Sequence, residues 1–328
     1  MRKQKIVTIG GGTGQYELLR GLCEHSDKLD ITAIVNTCDN GGSSGVLRRE
    51  KGIIPPGDIL GAILGLTPKH LEKGCRVILK HRPDYINNHT TGNVIFEGLV
   101  KGYGGTMNAI KFLCERCNCV GKILPVTLDD FSLQAVIRQP FSGGFINKII
   151  RGQKEISYLT SLNDDKLKIS SRILKLSSKR ECQAYWEVIN AIKSADKIVI
   201  CPGDLYGSII PNFLVSGIKE TLEKSKAKKI YVCNLFTKEG NYNFRVSDFV
   251  NEIEKYSGIK LNKILVNSVV PTKEVLKKYL KENSKFVEDN LGKDSRVVRG
   301  DFVVVKPHEE KTLFRHSAEK VTCAILKL

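Results

Sequence analysis

The residues of this 328-residue chain that could do chemistry stand in glycine-rich turns, each directly after a short apolar run. Ile6 to Ile9 runs into Gly10, Gly11, Gly12, Thr13 and Gly14, and Ile31 to Val35 leads to Asp39, Asn40, Gly41, Gly42, Ser43, Ser44 and Gly45. Glycine lets the backbone turn sharply and approach an anion closely, and a helix that follows presents unpaired N–H groups and the positive end of its dipole. Together the two turns read as a phosphate cradle. The Thr13, Ser43 and Ser44 hydroxyls and the Arg48 guanidinium are its side-chain donors.

A third such loop, Pro202-Gly203-Asp204-Leu205-Tyr206-Gly207-Ser208, follows the apolar run ending at Ile200, and Asn234 follows the run ending at Cys233. Four strand ends that carry small, polar or glycine residues exceed what turn chemistry alone requires, and they predict a binding crevice. Its ligand is narrowed by what is missing. The dinucleotide fingerprint G-x-G-x-x-G fails at its last glycine, where Gln15 stands, and no Lys-Ser or Lys-Thr completes a Walker loop. What remains is a diphosphate or phosphosugar held by loop amides. G-x-S-x-G does not occur, and no cysteine sits in a recognisable nucleophile motif.

Three further residues carry two readings each. His89 is either a general acid or phosphate donor, or a surface or capping residue in a polar loop. Asn93 either caps the apolar helix that starts there or faces the ligand, and Asp58, after Pro55-Pro56-Gly57, either caps the helix at Ile59 to Leu66 or lines the pocket. Cys114-x-x-Cys117-x-Cys119 is the one metal-like cluster, but zinc takes four ligands and no matched second pair exists. It reads as a helix end leading into a strand.

The elements that must position these residues follow from the apolar pattern. An opening β-α-β unit precedes helical stretches at 58–66, 70–79, 93–101 and 106–114. From Val120 to about Lys179 the texture changes to short alternating segments, such as 133–137 and 167–174, which predict an inserted antiparallel subdomain at 120–179. After a helix at 180–193, strands at 197–200, 229–233 and 263–266 alternate with helices. The fold class expected is therefore α/β: a mostly parallel Rossmann-like sheet flanked by helices with a smaller antiparallel insertion, all in one domain over residues 1–328.

Composition bounds the setting. The chain is 41% apolar, enough for a sizeable core, and its ten irregularly spaced cysteines suit small core residues better than a disulfide framework. With no apolar run of membrane-spanning length and no signal-peptide pattern, a cytoplasmic protein with reduced thiols is expected. The formal charge of +17 is spread along helical faces without interleaved aromatics, so a nucleic-acid platform is not the expectation.

Seven ordered segments carry a resemblance. Ile9 to Gly14, Asp39 to Arg48, Pro55 to Ile59, His89 to Asn93, Gly203 to Asn212, and Tyr231 to Leu235 with the later Arg315-His316 resemble the gluconeogenesis-factor (YvcK) branch of the CofD-like family. The likeness covers nearly the whole chain and is weakest over 141–179. It implies a nucleotide-diphosphate ligand across the glycine turns. In the YvcK branch this is a UDP-sugar such as UDP-N-acetylglucosamine, bound by a protein that steers carbon toward the cell envelope. In the CofD branch it implies a magnesium-dependent 2-phospho-L-lactate transferase, moving a phospholactyl-type group from a guanosine diphosphate adduct to the deazaflavin Fo. By resemblance, the ligand-binding set is Gly10 to Gly14 with Thr13, Asp39 to Ser44, Arg48, Gly57, Asp58, His89, Asn93, Gly203, Tyr206, Asn234 and Arg315. Asp39 and His89 are the catalytic candidates, and Asp39 would hold magnesium in the transferase alternative. The chain departs from the family's paired acid at Asn40, from its serine at Asp204 and from its threonine at Gly207. A partner enzyme and a homo-oligomer stay open.

Overall fold

A computed structural model describes the chain except residues 1, 85–88, 142–143, 161–172, 239–240 and 309–310. Strand β1 (Gln4–Gly10) leads into helix α1 (Gly12–Cys23), and β2 (Leu29–Val35) follows. Helices α2 (Gly42–Lys51), α3 (Pro56–Leu66), α4 (Lys69–Lys80), α5 (Thr91–Gly102) and α6 (Thr106–Arg116) then precede β3 (Lys122–Pro125). The insertion comprises β4 (Leu133–Phe141), β5 (Gly144–Arg151), α7 (Gln153–Thr160) and β6 (Ile173–Ser178). After α8 (Trp186–Ser194) come β7 (Lys197–Ile200), a single π turn (Leu205–Ile209), α9 (Ile210–Phe213), α10 (Ile218–Lys224), β8 (Lys228–Val232), α11 (Val246–Ser257) and β9 (Lys263–Asn267). The chain closes with α12 (Lys273–Lys281), β10 (Val297–Gly300), β11 (Val303–His308), β12 (Lys311–His316) and α13 (Ala318–Lys327).

Seven strands form one sheet in the order β3-β2-β1-β7-β8-β9-β10, and every pairing is parallel. Helices cover both faces of such a sheet, so its strands read as unbroken apolar runs; Ile198, Val199 and Ile200 of β7 are each 0% exposed. The chain moves from β1 outward to β3, then returns to place β7 on the other side of β1. Strand order therefore reverses between β1 and β7, and a ligand crevice belongs beyond their carboxyl ends. This is the Rossmann-like architecture that the strand-helix alternation predicts. Leu18, Leu19 and Leu22 of α1 are buried, as their spacing requires.

Two expectations need correction. The antiparallel sheet, in the order β5-β4-β6, begins at Leu133; Lys122–Pro125 pairs with β2 and belongs to the main sheet. The helix expected from residue 180 starts only at Trp186, because the segment before it is held extended by its neighbours. Gln183 N–H donates to Asp129 Oδ2 at 2.7 Å, Ala184 N–H to the Ser216 carbonyl at 3.0 Å and Tyr185 N–H to that of Val126 at 3.0 Å. Of the strand expected at 167–174, residues 167–172 lie outside the described residues. The β11-β12 hairpin has no forerunner in the sequence reading, although it carries Arg315 on its second strand.

Candidate functional site

A cavity of about 670 Å³ opens beyond the carboxyl ends of β1, β7 and β8, at the reversal of strand order. Its floor is Gly11 to Gly14 and Pro202 to Asp204, with Tyr206 and Asn234 beside them. The two glycine loops touch. A Cβ on Gly14 would stand 1.8 Å from the Pro202 carbonyl oxygen, and one on Gly10 would stand 2.9 Å from Cys201 Cβ. Gly12 has φ +64°, which glycine adopts without strain.

An acidic group meets this floor. The N-cap of α1 is Gly11, which offers no capping side chain, and the Gly12 N–H is met by Asp58 instead. Asp58 does not cap its own helix: Pro55 holds the cap position of α3 and Asp58 lies in its first turn. A Cβ on Gly11 would fall 2.4 Å from Asp58 Oδ2, so glycine is required where the carboxylate leans in. Burial, then the charge of Asp39, push the Asp58 carboxyl up to about 6, against the Gly12 N–H and Lys80, which pull it down. Asp39 is also raised, chiefly by burial, while its Oδ1 accepts the Gly41 N–H at 2.9 Å.

The second glycine turn meets α5. Ser43 Oγ lies 2.6 Å from His89 Nδ1 and accepts from Asn93 Nδ2 at 2.6 Å. The cap of α5 is Thr90, whose hydroxyl accepts the Asn93 N–H at 3.1 Å, which leaves the Asn93 amide for Ser43. His89, Asn93 and Ser43 thus form one polar cluster, and Ser43 and Gly42 line a second cavity of about 560 Å³ with Arg49 and Lys154. Ser44 is buried, and its Oγ lies against Gly57, where a Cβ would stand at 2.8 Å.

Other expected ligand contacts are engaged elsewhere. Arg48 turns away from the main cavity: Nε and Nη2 donate to Asp130 Oδ1 at 2.9 and 2.6 Å, Nη2 to Ser132 Oγ at 2.7 Å, and Nη1 to the Cys38 and Asp39 carbonyls at 3.3 and 3.5 Å. Its guanidinium ties the Asp39 turn to the segment before β4. Arg48→Ala is accordingly expected to lower stability by about 1.5 to 3 kcal/mol in urea unfolding, the range for hydrogen bonds to charged groups, with ligand affinity lost only as far as the fold loosens. Asn40 joins Glu155 and Lys154 (below). Asp204 caps the π turn through the Gly207 N–H at 3.0 Å, so its carboxylate is held by its own loop. Asn234 donates to the Gly203 carbonyl at 2.6 Å and accepts the Gly203 N–H at 3.3 Å, which fixes the third glycine loop. Tyr206 donates to Glu252 Oε2 at 3.1 Å, and burial holds its hydroxyl well above the ordinary tyrosine range.

The opposite wall was not foreseen. Phe236 stacks on Tyr279 with ring centres 3.8 Å apart and planes 6° from parallel, and Phe314 meets Phe236 edge-on at 5.9 Å. All three line the main cavity, as do Arg315 and His316. His316 Nε2 donates to the Cys233 carbonyl at 3.1 Å, and burial pushes its pKa down to about 4, so the ring is neutral near pH 7. The signal for this wall was thin, since its rings come from three distant segments. Among the described residues no group of three or more His, Cys, Asp or Glu side chains gathers in metal-holding geometry. Cys114 lies on α6 and Cys117 ends it, and burial pushes the Cys117 thiol up to about 12.

A parallel sheet with a cavity at the reversal of strand order, floored by two glycine turns, defines a Rossmann-like α/β protein. The chain belongs to the CofD-like family, in its gluconeogenesis-factor branch: residues 6–303 match the family described as 2-phospho-L-lactate transferase CofD. A putative gluconeogenesis factor of Thermotoga maritima is 36% identical over 328 residues, covering 99% of each chain. The gluconeogenesis factor of Bacillus subtilis is 32% identical, covering 100% of this chain and 98% of its own. A crystal structure of a Bacillus halodurans protein described as a member of the UPF0052 family superposes with a TM-score of 0.84 at 31% identity, covering 99% of both chains.

Proposed function

We propose that this protein binds a nucleotide-diphosphate sugar of the UDP-sugar class in the 670 Å³ cavity and acts as a regulatory protein in the supply of cell-envelope precursors. The observation that carries the reading is the cavity's two-sided construction. Backbone amides of Gly11, Thr13 and Gly14 on one side suit a diphosphate, and Arg315 supplies the positive charge. The Phe236, Tyr279 and Phe314 wall gives the flat apolar surface that a base or a pyranose ring needs. Asp39 stands outside the lining of this cavity, at the neighbouring second glycine turn, and is the acceptor for a sugar or ribose hydroxyl that reaches that turn. Calorimetry against UDP-N-acetylglucosamine, UDP-glucose and GDP, with and without magnesium, followed by chromatography of the recovered ligand, tests it. Micromolar binding of an intact UDP-sugar without magnesium supports the reading, and selective binding of GDP with magnesium sinks it.

A second reading has its own observation. Burial raises both the Asp39 and Asp58 carboxyls and the charge of Asp39 raises Asp58 further, and neighbouring carboxylates of that kind fit a hard divalent cation that keeps its remaining sites for water and phosphate. In a CofD-like transferase, bound magnesium would neutralise phosphate charge there, while Asp39 and Asp58 hold it and the glycine amides orient the diphosphate. Turnover of a guanosine diphosphate adduct in the presence of Fo, lost in Asp39→Asn, is the result that would favour it.

A further inference from the structure

We infer that Asn40 is a positioning residue: it seats the inserted antiparallel unit on the second glycine turn, and through that seat it holds the roof of the ligand cavity. The inference rests on the nucleotide-sugar reading for its ligand and on geometry for its seat. Asn40 Nδ2 donates to Glu155 Oε2 at 2.9 Å, and Asn40 Oδ1 accepts the Lys154 N–H at 2.7 Å. Both partners lie in the first turn of α7. A carboxamide donates to a carboxylate and accepts from an amide at the same time, whereas an aspartate at this position would set one carboxylate against another. The side chain expected to reach ligand hydroxyls therefore serves α7 with both of its ends.

The surroundings are built to the same close fit. Gly152, with φ +99°, passes so near that a Cβ there would stand 2.5 Å from Asn40 Nδ2. On its other side, the first turn of α7 abuts the π turn, since a Cβ on Gly207 would stand 2.8 Å from Gln153 Nε2. The start of α7 is thus wedged between the loops that follow β2 and β7. The next residue, Ile156, is 3% exposed and lines the cavity, together with Ile173 of β6 at 6%. The Gly152 N–H donates to the Leu133 carbonyl at 2.8 Å, which joins the seat to β4, and the Leu176 N–H donates to Tyr256 Oη at 2.9 Å, which fastens β6 to α11. Among the described residues Asn40 therefore fastens the roof to the second glycine turn on one side, and Tyr256 fastens it to α11 on another.

The test exchanges the polarity of the bond. Asn40→Asp places two carboxylates together and is expected to speed hydrogen exchange at 153–156 and to raise the dissociation rate of UDP-N-acetylglucosamine, each by about tenfold. Glu155→Gln alone keeps an acceptor for Asn40 and is expected to change little. The double variant Asn40→Asp with Glu155→Gln restores a donor facing an acceptor and should return both quantities close to those of the unaltered protein. Failure of the double variant to rescue dissociation, or normal exchange at 153–156 in Asn40→Asp, overturns the inference. Rescue of exchange with dissociation unchanged in every variant also overturns it, because the seat would then not bear on the ligand. If the unaltered protein binds no UDP-sugar, the ligand reading fails, and exchange in the ligand-free protein still upholds or overturns the seat.

Discussion

Gly14→Ala is expected to destabilise the protein by about 3 kcal/mol or more and to abolish ligand binding, the upper end of what overpacking does in a close-packed site. The added methyl would lie 1.8 Å from the Pro202 carbonyl oxygen and 2.7 Å from its carbon, and backbone atoms cannot rotate out of the way as a side chain does. The first and third glycine loops would have to part, and that contact is the floor of the cavity. Gly12→Ala is the control. Nothing lies within 4 Å of a Cβ there, so only its left-handed φ of +64° is strained, which costs about 1 to 2 kcal/mol. Urea unfolding of both variants beside calorimetry decides the matter: a Gly14→Ala protein as stable as Gly12→Ala would contradict the loop contact.

The second large effect is a pH dependence. Asp58 titrates near 6 in the folded chain, above its ordinary value of 3.8, so between those values the folded state binds more protons than the unfolded state. The contribution of Asp58 to stability is therefore fullest below about pH 4 and is lost as pH rises through about 6, with about 3 kcal/mol given up by pH 8. Asp58→Asn retains an oxygen for the Gly12 N–H and removes the charge. Its stability should match that of the unaltered protein near pH 4 and exceed it by up to about 3 kcal/mol near pH 8. Identical pH profiles for the two proteins, measured as melting temperature from pH 4 to 8, would show that the carboxyl is not confined as described. Added magnesium offers a further discrimination. A cation held by Asp39 and Asp58 would lower the Asp58 transition in the unaltered protein and leave Asp58→Asn unmoved.

The glycine turns and the parallel strands were legible because each rests on local chemistry. An apolar run of four to six residues followed by small, polar or glycine residues predicts a buried strand and a turn whatever lies around it, and β1, β2, β7 and β8 appear where such runs stand. Side-chain partners were not legible, since a partner is a fact of tertiary structure. Asp58 and Asn93 both sit in first turns, where a capping role is the natural expectation, yet Pro55 and Thr90 hold the cap positions and free the longer side chains to cross to Gly12 and Ser43. Arg48 lies beside a phosphate-like motif, and only the fold shows that Asp130, some eighty residues on, meets it first. The aromatic wall was invisible for the same reason. Tyr279 stands in a lysine-rich helix that reads as solvated, and its stacking partner Phe236 and the edge-on Phe314 lie on other elements.

The position of β1 bears on how the protein is made. One of its two neighbours, β2, follows directly in the chain, but the other does not exist until Lys197 to Ile200 have been synthesised. Until then the central strand has an open edge of backbone groups, and pairing across so long a stretch of chain is slow. The glycine turns of the first two strands form early, whereas their floor contact with Pro202, the anchoring of Gly203 by Asn234 and the far wall at Tyr279 and Arg315 wait for the C-terminal half. Closure of the cavity therefore waits for the β11-β12 hairpin that carries Phe314 and Arg315, long after its first glycine turn has been made.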